Sequence, residues 1–177
     1  CHIWLAPLAE ETNGFPAGLA PGENAFDSKT WDDSTERANV TIRNTVAHGF
    51  RNGHITNMSA FNIKESVDVL ADKVLVYDSE IAYRLRGPGR DIGAAASIQN
   101  GVVYDVDFAF RYEDDIETMN IWNVTLGNDV LTPFKEASSD ATIADVRNLL
   151  VLADGLPTEA QNTSNLATDN SCFVDAA

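Results

Sequence analysis

Basic residues are scarce in this chain: 12 Lys plus Arg stand against 27 Asp plus Glu, a net charge of −15. A phosphate backbone is repelled by such a surface on average, so nucleic acid is not an expected partner, and heparin-like polyanions are disfavoured for the same reason. Long apolar runs are also missing. Stretches such as residues 149–153 are far too short to span a bilayer, so no membrane span is expected. The chain opens at Cys1 without an initiator Met or a charged-then-apolar leader, and it therefore reads as a processed or excised piece. No Ser nucleophile elbow, phosphate-cradling glycine loop or Cys/His pairing occurs; Gly87, Pro88 and Gly89 read as a turn, and Ser59 and Ser66 have no motif around them. These absences exclude the common catalytic constellations, and neither an enzyme nor a cofactor is expected.

What is present suits an ordinary core. The 177 residues are 44% hydrophobic and 22% charged, enough for one domain or one domain with a piece of another. Asn39, Asn57, Asn123 and Asn162 each begin an N-x-S/T sequon, a glycan acceptor in a eukaryotic secretory setting. Arg84, Arg86 and Arg90 are a candidate local basic patch, expected as solvated charges on a strand and turn.

Residues 1–6 read as a short strand stopped by Pro7, followed by a turn-rich connection from Glu10 to Asp33. Over residues 34–50, Val40, Ile42, Val46 and Phe50 suggest a helix giving way to a strand. From Ile63 onward the period shortens to two, with strands at 67–69, 73–77 and 81–85. Residues 102–112 alternate strictly, placing Val102, Tyr104, Val106, Phe108 and Phe110 on one face, with residues 117–126 as the expected hairpin partner. Near the end, Ile143, Val146, Leu149, Leu150 and Ala153 form an apolar stripe closed by Gly155 and Pro157, which predicts a helix over 143–154.

At Asn100 to Asp107 the chain reads NGVVYDVD, in which Asn100-Gly101 supplies a positive-φ turn into a half-buried strand. This segment resembles the second signature of fasciclin domains. HIWLAP (residues 2–7) is similar to the first signature, and VAHGFRNGHIT (residues 46–56) to the segment around the family's Tyr-His pair, with His48 matching the His and Ala47 replacing the Tyr. The resemblance covers residues 1 to about 110 and implies an α+β fold: a β-sandwich or wedge from residues 63–127 and the Cys1 strand, edged by helices. It implies two units, 1–135 lacking its opening helices and 136–177 starting a following repeat, with Cys172 in the register of Cys1. Cys1 and Cys172 are then expected to join neighbouring units or other chain segments rather than each other. The implied function is extracellular adhesion or matrix assembly by a secreted or cell-surface glycoprotein, with other copies, extracellular proteins or polysaccharide as partners. Asn100, Gly101, Asp107 and His48 are the motif positions carried over.

The competing expectation is a secreted binding module or enzyme that uses His48 and His54, six residues apart, with His2 as a third metal ligand. A hydrogen-bonded structural role is the expected one for His48. Asp105 and Asp107 share a strand face, as calcium ligands would, with Glu113, Asp114, Asp115 and Glu117 nearby; a solvated face is again the expected reading.

Overall fold

The computed structural model describes residues 1–5, 22–28, 37–51, 55–87, 92–113, 115–138 and 145–169. The strands are β1 (His2–Trp4), β2 (Asn24–Asp27), β3 (Ala38–His48), β4 (Ser59–Ile63), β5 (Val67–Tyr77), β6 (Ser79–Leu85), β7 (Ala95–Gln99) and β8 (Val102–Val103). They continue as β9 (Val106–Tyr112), β10 (Thr118–Trp122), β11 (Thr125–Leu126), β12 (Val130–Glu136), β13 (Asp145–Arg147), β14 (Leu150–Leu152) and β15 (Leu166–Thr168). One 3-10 turn spans Thr158–Ala160, and among the described residues there is no α-helix and none long and apolar enough to cross a membrane.

All described strand pairs are parallel. Parallel neighbours require a long crossover, usually a helix. Here the crossover is a strand of the other sheet. The chain runs along the ten-stranded sheet, turns into the five-stranded sheet β12-β9-β6-β4-β2, and returns one rung further on, which is a parallel β-solenoid.

Two columns of left-handed residues shape each coil. Asn44, Lys73, Asn100, Asn123 and Asn148 have φ of 49°, 57°, 55°, 55° and 53° and fall in register, at intervals of 29, 27, 23 and 25 residues. Asn tolerates this conformation better than other side-chain-bearing residues, and the column binds itself together. Asn100 Nδ2 donates to Asp72 Oδ1 at 2.8 Å, Asn123 Nδ2 to Asn100 Oδ1 at 3.2 Å, and Asn148 Nδ2 to Asn123 Oδ1 at 2.9 Å. The second column is Gly49, Asp78, Asp105 and Asp129, with φ of 84°, 46°, 49° and 59°. Gly49 is required twice over, because a Cβ there would also stand 2.5 Å from the Leu5 carbonyl oxygen.

The interior is filled from all faces. Val69, Ala96, Met119 and Val146 point inward before the Asn column; Ala47, Val76, Val103, Leu126 and Val151 do so after it. The five-stranded sheet adds a buried ring stack, Phe61–Tyr83–Phe110–Phe134, with centroids 5.3, 5.8 and 5.2 Å apart. Near the last coil, the buried Asn165 accepts from the Leu149 N–H at 2.8 Å and donates to the Val146 and Ala160 carbonyls.

This architecture overturns the α+β wedge edged by helices. The stretch expected as a helix over 143–154 holds β13 and β14 instead. The reason is the bend at Asn148. A left-handed residue between two period-two strands resets the phase, so the buried Val146, Leu149 and Val151 are spaced three and then two apart and imitate a helical stripe. The same bend at Asn44 made β3, a single strand, look like a helix passing into a strand. Residues 102–112 are likewise not one alternating strand: Asp105 resets the phase, so Val103 is buried but so are Val106, Phe110 and Tyr112. The expected hairpin does not form, because β10 pairs in parallel with β7.

Candidate binding face

Between the two columns lies a four-residue segment in three coils, residues 45–48, 74–77 and 101–104, and a five-residue segment, 124–128, in the next. The fourth residue of each, His48, Tyr77, Tyr104 and Gly127, is in register with the others on the outward side. The segment NGVVYD is thus one of several equivalent rungs, alongside NTVAHG, KVLVYD and NVTLGN. Gly101 sits at an inward position where a Cβ would meet the Val74 carbonyl oxygen at 3.1 Å.

The outward positions form a ring ladder. The His48 imidazole stacks on Tyr77 at 4.5 Å and 9°, and Tyr77 on Tyr104 at 5.1 Å and 1°. On the other side β1 brings His2 to His48, with their Nε2 atoms 2.9 Å apart and ring centroids at 5.0 Å, and Trp4 packs on His2 at 5.1 Å. Trp4 is 59% exposed. At the far end, Gly127 stands over Tyr104, with its Cα side against the Tyr104 Cβ, so no side chain from that position covers the phenol ring. Partial burial and the neighbouring His2 lower the pKa of His48, and Asp78 opposes them. Burial, Tyr77 and Asp105 push the Tyr104 phenol up.

A shallow groove of about 400 Å³ crosses the outer face on the other side of the Asn column. Asn39, Thr41, Asp68, Leu70, Ser97 and Thr118 line it, and the small Ala95 and Ser97 make its floor recede. Asp68 is fixed at the rim by Arg37, through Nε at 2.9 Å and Nη2 at 2.6 Å. The lining is mixed: Asn39, Thr41, Ser97 and Thr118 supply amide and hydroxyl groups, Asp68 a carboxylate, and Val40, Val69, Leu70, Ala95 and Ala96 the apolar remainder.

The structure joins His48 to His2, and His54 lies outside the described residues. Among the described residues no group of three or more His, Cys, Asp or Glu is placed to hold a metal ion. Asp105 and Asp107 do meet, across Arg51, at 3.1 and 3.2 Å. Glu113 is committed to Arg84 and Arg86, and Asp114 is outside the described residues. Arg84 and Arg86 are not the freely solvated charges the sequence suggests, since the Arg84 side chain is 11% exposed. Cys1 is an exposed free thiol and Cys172 lies outside the described residues.

The four sequons differ in context. Asn39 is exposed on β3. Asn57 accepts a hydrogen bond from Arg111, Asn123 belongs to the Asn column, and Asn162 Nδ2 donates to the Val146 carbonyl at 2.7 Å. A glycan at Asn123 or Asn162 would therefore disrupt a bond its amide nitrogen makes. Tyr77 and Tyr104 as a ladder, Trp4 beside it and the groove were missed from sequence; the signal that finds the ladder is the recurring rung pattern, a left-handed residue followed four positions later by a ring.

Scanning family models, curated proteins and solved structures gave no match to this chain, so nothing identifies a fasciclin domain.

Proposed function

We propose that this chain serves extracellular adhesion or matrix assembly by binding glycan on its outer face. The observation that carries the reading is the outward ring ladder His2–His48–Tyr77–Tyr104, with His2 exposed, the other three rings half-buried, and Gly127 adding no side chain beyond Tyr104. An aromatic face with a polar rim suits a sugar ring, which presents an apolar C–H face and hydroxyl edges. The nearby groove adds hydroxyl and amide partners across successive coils, as an extended neutral saccharide requires. The acidic surface disfavours polyanionic chains on this face.

The test is a screen of neutral oligosaccharides by tyrosine and tryptophan fluorescence, followed by titration of the Tyr104→Ala and Gly127→Val variants. Binding by the native chain that falls about tenfold in Tyr104→Ala supports the reading. The absence of any neutral glycan ligand, or undiminished binding in both variants, rejects it.

A further inference from the structure

The segments that carry the ring ladder hold a second outward row. Register aligns Val46, Leu75, Val102, Thr125, Leu150 and Leu166 across consecutive strands, with His2 opposite Val46 at the near end. Each lies two residues before a member of the ladder row, so both rows face the same way. The ladder row itself starts from Trp4, opposite His48, and continues past Gly127 to Leu152 and Thr168. The residues between the rows, such as Val76, Val103 and Val151, are buried, whereas the outward ones are half-buried or exposed. Of the four exposed large apolar side chains among the described residues, Trp4, Val102 and Leu166 stand on this strip, at 59%, 39% and 60% exposure, and Leu131 stands elsewhere.

Neither row contains Asp, Glu, Lys or Arg at any position, in a chain that is 22% charged. A contiguous apolar face of this kind marks an interaction surface. Seven strands about 4.8 Å apart make it about 29 Å long, and four residues at about 3.3 Å each make it about 13 Å wide. Two such faces pressed together bury on the order of 1,000 Å², which is the lower end for a specific interface and sufficient for a reversible dimer. Charges line the margins instead. One margin is the column with Asp78, Asp105 and Asp129, offset in part by Arg51 at Asp105. The other holds Arg43, Lys73 and Arg147, with Asp72 and Asp145 beside them; the Arg43 and Arg147 side chains are 58% and 68% exposed. The strip thus has an acidic edge and a basic one.

We propose that this strip is the interface of a homodimer, in which two copies pack face to face about a two-fold axis parallel to the coil axis. That axis turns the acidic margin of one copy over the basic margin of the other, each rung against the same rung, so that Lys73 faces Asp78 of the second copy. A two-fold across the coil axis sets acid on acid instead. The parallel axis also lays Val46, Leu75 and Val102 of one copy against the ring edges of His48, Tyr77 and Tyr104 of the other, and Thr125 takes the space that Gly127 leaves. A saccharide on Tyr104 and a second copy need the same rows and exclude each other. The dimer does not rest on the glycan reading, and a chain that dimerises without binding any saccharide rejects that reading alone.

The experiment is sedimentation equilibrium of the whole chain from about 1 to about 300 μM, with about 0.5 M NaCl to screen the −15 charge of each copy and a reductant because Cys1 is an exposed thiol. A monomer–dimer equilibrium with a Kd in the range of about 1–100 μM is expected. Val102→Asp and Leu166→Asp should each weaken it by about tenfold or more, while Leu131→Asp leaves it unchanged. Both strip variants replace exposed side chains, Leu166 in the terminal rung, and a native-like melting curve separates lost docking from lost folding. In about 0.1 M NaCl, Lys73→Glu should weaken the dimer about threefold more than Lys135→Glu, which makes the same charge change on β12. A monomer at every concentration overturns the proposal, as does a dimer that folded Val102→Asp and Leu166→Asp chains both retain. Equal effects of Lys73→Glu and Lys135→Glu overturn the two-fold axis.

Discussion

The chain builds two ring ladders by the same device and puts them on opposite sides of its wall. Inside, Phe61, Tyr83, Phe110 and Phe134 stack with centroids 5.2–5.8 Å apart. Outside, His48, Tyr77 and Tyr104 stack in register at 4.5 and 5.1 Å, and His2 reaches His48 diagonally from its place opposite Val46. In-register parallel strands about 4.8 Å apart place equivalent side chains over one another on either face. Spacing therefore follows from the solenoid and says nothing of purpose. Solvent makes the difference: the inner ladder removes large apolar surfaces from water, whereas the outer ladder holds rings and ionisable edges in it.

The strongest way to break this comparison is to truncate one ring from each ladder. Phe110→Ala opens a cavity in a fully buried stack and is expected to cost about 3–5 kcal/mol. Tyr77→Ala removes a partly exposed ring with two stacking contacts, and about 1 kcal/mol is expected. Urea denaturation followed by circular dichroism gives both values. Equal losses would show that the outer ladder is as much a part of the stabilising core as the inner one.

The strands were easier to read from sequence than their arrangement. Period two over 67–77 and 81–85 is plain because β5 and β6 alternate in burial over most of their length. The solenoid was hidden because its repeat is uneven: left-handed residues at 44, 73, 100, 123 and 148 keep no fixed interval, since each coil carries connections of its own length. Asn100-Gly101 was rightly read as a positive-φ turn, but its recurrence as Asn123-Val124 and Asn148-Leu149 lacks the glycine that draws attention. His48 was singled out for a motif, yet its neighbours in space, His2 and Tyr77, come from other coils. The burial of Asn62 gave no signal at all. Its cross-strand neighbour, Arg84, arrives beside it through parallel register, which no local pattern encodes.

A finer probe of the inner ladder is its one polar atom. The Tyr83 hydroxyl is fully buried without a hydrogen-bond partner, and burial raises the phenol pKa far above its usual range. A ring stack that works by apolar burial gains nothing from that oxygen. Tyr83→Phe should leave stability unchanged or raise it by about 1 kcal/mol. A clear loss in the same urea titration would mean that the hydroxyl is held by a group the stack depends on.

The smallest expected effect concerns the outer ladder's response to acid. His48 has a lowered pKa, first from partial burial and then from the adjacent His2, with Asp78 opposing both. Its imidazole also lies 2.9 Å from that of His2 through their Nε2 atoms, a contact that two protonated rings cannot keep as a hydrogen bond. A histidine depressed in the folded state binds protons more readily when unfolded. Its contribution to stability is therefore complete above the ordinary histidine value near 6.5 and is lost as pH falls through that value toward the depressed folded one. Because the pair is largely exposed, solvent screens the effect, and a modest decline in melting temperature between about pH 7.5 and 5.5 is expected. His48→Gln should flatten that segment of the profile while leaving the inner ladder unaffected, and loss of β1 pairing on acidification should appear as faster amide exchange at Ile3 and Leu5. The Leu5 N–H reports directly, since it donates to the His48 carbonyl at 3.1 Å. An unchanged slope in His48→Gln would assign the acid sensitivity to the carboxylates elsewhere and leave the outer ladder indifferent to pH.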